Sequence, residues 1–185
     1  LENEGFEITV KPLFDDQYLE NLYAGKKSKK NIISSYLKRF LVLFTLKKYD
    51  RIIIEKELFP YLPSLFERLL KTLGVKYMVD YDDDIFHNYD LSKNKLIRFF
   101  LKSKIDHIMK WSSCVFAGNS YLAERANLAG AKKIVVIPTV INIEKYKILE
   151  KLKTKEFVIG WIGSPSTFKY VQYIEAALKK IVENY

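Results

Sequence analysis

Four short apolar runs, Ile52-Ile53-Ile54, Tyr77 to Tyr81, Cys114 to Ala117 and Ile134 to Ile137, are separated by stretches whose apolar residues recur at helical spacing. This alternation constrains the chain more than any other feature. With no Asn-Gly or similar two-residue turn between short strands, it predicts an α/β fold built from βαβ crossovers. The expected form is a Rossmann-like parallel sheet with helices on both faces. The unbroken Ile52-Ile53-Ile54 run reads as a strand buried on both sides.

The remaining segments fill in that plan. Phe6 to Val10 alternates and reads as a strand, and Asp15 to Tyr23 as a short helix. Ser28 or Asn31 caps a long helix to about Lys48, with Ile32, Ile33, Tyr36, Leu37, Phe40, Leu41, Leu43 and Phe44 at helical positions. Pro63 opens a helix that Gly74 ends, Ser92 caps one to about Trp111, and Ser120 to Leu128 is closed by Gly130. Residues 142–155 are lysine-rich and lose the apolar period, as a linker does. Phe157 to Ile162 starts another strand, followed by a Gly/Ser/Thr loop and a helix running to Tyr185. The expected division is one Rossmann-like domain over 1–150 and the opening βα unit of a second over 156–185. Leu1 is not a methionine and the last helix has no cap, so the sequence reads as a fragment of a longer chain.

Composition narrows the classes of function. At 49% hydrophobic residues the chain is not of the disordered kind. Its single cysteine, Cys114, excludes a disulfide framework and a Cys-based zinc site, and suits a reducing cytoplasm. No apolar run approaches the ~20 residues of a membrane span. The net charge is +9, from 31 Lys and Arg against 22 Asp and Glu. The lysines are spread over several segments and are not interleaved with aromatics on one element, which argues against nucleic acid as a partner. A basic α/β module that binds nucleic acid or an acidic polymer without catalysis is the competing class. The Asn31 to Lys48 helix, flanked by Lys29, Lys30, Lys38, Arg39, Lys47 and Lys48, has an apolar stripe for which packing on the sheet and peripheral contact with an anionic membrane compete.

Ligands of open parallel sheets bind beyond the carboxyl ends of the strands, so the residues just after each strand carry the functional reading. After the first come Lys56 and Glu57, and after the second Asp82, Asp83, Asp84 and His87. Overlapping Asp-x-Asp pairs could hold a divalent ion, bind sugar hydroxyls or cap a turn. His87, three residues after Asp84, has the chemistry of a general base oriented by a carboxylate. Gly163, Ser164, Ser166, Thr167 and Lys169 combine free amides, hydroxyls and an ammonium at a helix start, which is phosphate-binding chemistry. Capping by Ser166 or Thr167 is the plainer use of the same residues.

Taken together, Glu55-Lys56-Glu57-Leu58-Phe59-Pro60, Val79 to His87, Ala117-Gly118-Asn119-Ser120 to Glu124, Val136 to Val140 and Ile159 to Thr167 resemble, in order and spacing, the group 1 (family 4) glycosyltransferases. The resemblance implies the GT-B architecture of two Rossmann-like domains, with the acceptor mainly on the first and a nucleotide-sugar mainly on the second. It implies a hexosyl transfer with retention of configuration, a nucleotide-sugar as substrate, no cofactor and no bound metal. It assigns Gly163, Ser164, Ser166, Thr167 and Lys169 to the donor, Glu57, Asp82 and Asp84 to a glycan, lipid-linked or small-molecule acceptor, and His87 to the catalytic position. Family members often carry a His-Asp pair there, which this sequence does not. The family's glycine-rich first loop would precede Leu1, and its carboxylate motif would follow Tyr185. The expected site of action is the cytoplasm, at the inner face of the membrane.

Overall fold

The computed structural model describes residues 5–26, 29–146, 158–164 and 167–184. The chain divides into two compact units, Leu1–Val140 and Ile141–Tyr185. The division lies at the start of the lysine-rich 142–155 stretch rather than within it.

In the first unit, α1 (Asp16–Tyr23) and α2 (Lys29–Leu43) precede a 3-10 turn, Leu46–Lys48. The order then runs β1 (Ile53–Glu55), α3 (Leu65–Thr72), β2 (Met78–Tyr81), α4 (His87–Asp90), α5 (Lys95–Leu101), α6 (Lys104–Trp111), β3 (Cys114–Ala117), α7 (Ser120–Leu128) and β4 (Ile134–Val136). The four strands form one parallel sheet in the order β1-β2-β3-β4. Ile54 pairs with Val79, Val79 with Val115, and Val115 with Ile134. The α/β class and the parallel sheet are as the sequence predicts.

The distribution of helices is not. Right-handed crossovers that always step in the same direction leave their helices on one side of a sheet, and the burial follows that rule. Ile54, Val79, Tyr81, Val115 and Ala117 point into the single core, against Leu70 of α3, Ile105, Ile108 and Met109 of α6, and Leu122 and Ala126 of α7. On the opposite face Ile53, Glu55 and Asp80 are exposed, and Met78, Phe116 and Val135 only half-buried. Among the described residues, helices therefore cover one face. The Ile52-Ile53-Ile54 run buries only Ile54, because β1 is an edge strand and Ile53 lies on the open face, 57% exposed.

Local signals account for most boundaries. Asp15 caps α1 by accepting from the Tyr18 amide, Asn119 caps α7 through Leu122, and Gly74 and Gly130 take φ of 73° and 81° after α3 and α7. The helix expected from Ser92 to Trp111 is instead two, broken at Lys102-Ser103, and its cap is Asn94, which accepts from the amides of Leu96 and Ile97. The Phe6–Val10 segment forms no strand. Its apolar residues are exposed, and it is tied to α2 by the Arg39 guanidinium donating to the Lys11 carbonyl at 2.8 Å. Alternation shows only that a segment suits a ladder, and here, among the described residues, the outer edge of β1 is left unpaired.

In the second unit, residues 158–164 carry no strand, contrary to expectation, and are followed by α8 (Phe168–Gln172) and α9 (Glu175–Asn184). No partner strand lies among the described residues of that unit. Phe157 lies outside the described residues. No described helix is long and apolar enough to cross a membrane.

Candidate functional site

The parallel register brings the ends of β1, β2 and β3 to one edge of the sheet, with Glu55 beside Asp80 and Tyr81 beside Ala117. Just past β1, Lys56 adopts a left-handed φ of 65°, and its amide donates to the Asp80 carbonyl at 3.0 Å. This turn sends the Lys56 ammonium outward and the Glu57 carboxylate inward. Lys56 Nζ lies 3.2 Å from Asp82 and 3.0 Å from Asp83. Partial burial works against its charge, but the bonds to Asp83 and Asp82 outweigh it and raise the lysine's pKa. Gly118 completes the edge: a Cβ there would come within 3.3 Å of the Asp82 Cα and of the Tyr81 carbonyl oxygen. Glu57, Asp82 and Gly118 therefore follow their strands at one edge of the sheet.

Glu57 itself is committed inside. Its oxygens accept from the Tyr89 hydroxyl at 2.6 and 2.9 Å and form an ion pair with Lys104. Lys104, 3% exposed, also donates to the Phe59 carbonyl at 2.7 Å and lies over the Tyr89 ring. Burial and the bond to Glu57 hold the Tyr89 hydroxyl protonated, well above the usual tyrosine range. Nearby, Glu67 accepts from the Leu58 amide at 3.0 Å, and burial raises its carboxyl. The buried Tyr81 hydroxyl has no partner among the described residues.

His87 opens α4, its amide donating to the Asp84 carbonyl at 2.9 Å. Its orienting carboxylate is Asp90 rather than Asp84: Nδ1 lies 2.7 Å from Asp90, and Nε2 lies 2.8 Å from the Tyr121 hydroxyl. With Nδ1–H directed at Asp90, Nε2 is left as the acceptor, a tautomer assigned from the hydrogen-bond network. Asp90 in turn meets Arg125 at 3.2 Å, and Arg125 binds Asp106 through two bonds of 2.7 and 3.0 Å while lying over Phe86. The bonds to Asp106 raise the guanidinium's pKa further. This fixed chain from Asp106 to His87 can hold a proton acceptor at the sheet edge. Asp82, Asp83 and Asp84 are exposed, and the described residues hold no group of three or more His, Cys, Asp or Glu placed to ligate a metal.

In the second unit, the Thr167 amide and hydroxyl both donate to the Ser164 carbonyl, at 2.9 and 2.8 Å. At Gly163 a Cβ would overlap the Trp161 ring and approach the Thr167 hydroxyl, so a larger residue there needs the ring to move. Lys169 lies in α8 with Nζ 5.0 Å from the Tyr170 ring. Gly163, Ser164 and Thr167 are thus brought together, and Ser166 lies outside the described residues. No family model, curated protein or solved structure matches the chain. The site therefore rests on its own geometry. The residues that sequence reasoning missed are Tyr89, Asp90, Lys104, Asp106, Tyr121 and Arg125. Only the His87–Asp90 pair, three apart as on one helical turn, left a local signal.

Proposed function

We propose that the chain carries the acceptor-side domain and the start of the donor domain of a glycosyltransferase. The reaction is a retaining, metal-independent transfer of a hexosyl group from a nucleotide-sugar to a glycan, lipid-linked or small-molecule acceptor. The observation that carries this reading is His87, held between Asp90 and Tyr121 at the carboxyl edge of a parallel sheet, beside the Lys56–Asp82–Asp83 cluster. In it, an acceptor hydroxyl replaces the Tyr121 hydroxyl at Nε2, and Asp82 and Asp84 bind neighbouring sugar hydroxyls. Glu57 shapes the loop through Lys104 and Tyr89. Gly163, Ser164, Ser166, Thr167 and Lys169 stabilise the departing diphosphate by hydrogen bonds and charge. Exposed apolar residues of α2, Ile33, Leu37 and Leu41, with Phe44 just after the helix and Lys29 and Lys30 at its start, support a peripheral contact with an anionic membrane at its cytoplasmic face.

The test is nucleotide-sugar turnover by the product of the whole gene. His87→Ala should lower kcat by about a hundredfold or more, the usual worth of a general base. Lys169→Ala should lower kcat/KM by about ten- to a hundredfold, as loss of a charge-assisted contact does. Both variants should melt like the wild type. Full turnover in both would overturn the reading.

A further inference from the structure

Five consecutive residues of the loop between β1 and α3 are tied down by side chains from four helices. Glu57 accepts from the Tyr89 hydroxyl of α4 and pairs with Lys104 of α6, and the Leu58 amide donates to Glu67 of α3. The Phe59 carbonyl accepts from Lys104, the Pro60 carbonyl from the Tyr36 hydroxyl of α2 at 2.7 Å, and the Tyr61 amide donates to the Tyr89 hydroxyl at 3.1 Å. These ties hold Tyr61 at a left-handed φ of 59°. That state is an outlier for a bulky residue, and glycine or asparagine would reach it at less cost. Nor does burial account for a tyrosine there: Tyr61 is 59% exposed, and its ring meets the Tyr89 ring edge-on, with centroids 5.7 Å apart. Backbone strain of this kind persists where the surroundings impose it, and it collects at ligand sites.

We infer that Tyr61 is the stacking platform for the ring of a carbohydrate acceptor. The loop leaves β1 at the carboxyl edge of the sheet, and the Tyr89 ring that Tyr61 meets belongs to α4, the turn that also carries His87 and Asp90. The same loop presents Lys56 to Asp82 and Asp83, and Asp82, Asp83 and Asp84 are exposed at the end of the neighbouring strand. An aromatic face beside carboxylates matches the two kinds of surface on a pyranose. The C–H groups of one sugar face lie on the electron-rich ring, and the hydroxyls at the rim donate to the carboxylates. A nucleotide suits the same place less well, because its phosphates carry the same charge as the three aspartates. The inference rests on the transferase reading for the role of that sugar as acceptor, whereas the stacking itself is read by binding.

The test is saturation-transfer NMR on the product of the whole gene, irradiated in the aromatic region, with methyl β-glucoside, methyl α-mannoside and lactose as probes. At least one should bind saturably, with transfer strongest to the C–H protons of one sugar face. Tyr61→Asn should weaken that binding by about tenfold, the worth of one stacked ring. It should melt no lower than the wild type, since asparagine accepts the left-handed backbone more readily. Tyr61→Phe should keep the binding. Phe99→Asn, which removes a ring 74% exposed on α5, should leave it unaltered. No saturable transfer from any probe, equal losses in Tyr61→Asn and Phe99→Asn, or a lower melting temperature with intact binding in Tyr61→Asn would overturn the inference. Tyr61-dependent binding without nucleotide-sugar turnover supports the platform and removes the transferase reading. Turnover whose acceptor KM is unchanged by Tyr61→Asn overturns the platform and leaves that reading in place.

Discussion

The sheet edge of the first unit and the loop before α8 in the second use the same chemical vocabulary, hydroxyls, an ammonium and glycine, but they are held in place differently. At the sheet edge the contacts join residues far apart in the chain: Glu57 with Tyr89, 32 residues on, His87 with Tyr121, 34 on, and Phe59 with Lys104, 45 on. In the loop the described contacts include local ones, from Thr167 back to Ser164 and between the Trp161 and Phe168 rings. The first arrangement is fixed by the core and loses little entropy when a ligand arrives. Among the described residues the second shows no such backing, as neither α8 nor α9 contains a buried residue.

The hardest test of that contrast is Lys104→Met. It strands the Glu57 carboxylate in a site only 9% exposed, and should cost about 3–5 kcal/mol in urea unfolding, with Glu57→Gln in the same chain restoring most of it. A loss under about 1 kcal/mol would break the comparison. Next come the two glycines. Gly118→Ala sets a methyl against the backbone of Asp82 and Tyr81 and should cost about 1–3 kcal/mol. Gly163→Ala meets the ring of Trp161, 47% exposed and able to turn away, so it should stay within about 0.5 kcal/mol.

The smallest effect concerns pH. Burial raises the Glu67 carboxyl above its usual value of 4.5, so the folded state holds that proton more tightly than the unfolded chain. The resulting stabilisation is complete below the unfolded value and is lost as pH rises through the folded one. Glu67→Gln, which can still accept from the Leu58 amide, should therefore gain on the wild type in urea midpoint between pH 4.5 and 7. A constant difference over that range would remove Glu67 as the source.

What was legible in the sequence was whatever is decided locally. The four strands, the short helix near Asp15 and the glycines after α3 and α7 follow from short-range propensity, so their positions were readable. The strand order was not, and with it went the faces: three isoleucines in a row look doubly buried until β1 is known to be an edge. The same holds at the site. The acidic run and His87 stand out by composition, whereas Lys104 and Arg125 lie in helices whose apolar period gives no hint that their charges turn inward. Glu57 was readable as a strand-end acid, but its inward direction depends on the left-handed Lys56, a backbone state that a lysine does not advertise.

A sheet whose strands lie in the order of the chain has a consequence for synthesis. In many α/β folds an early strand waits between two neighbours that emerge later. Here each new βα unit needs only the margin left by the one before it. The growing chain can lay down β1, β2, β3 and β4 in succession as it leaves the ribosome, and no completed part has to reopen to admit a later one.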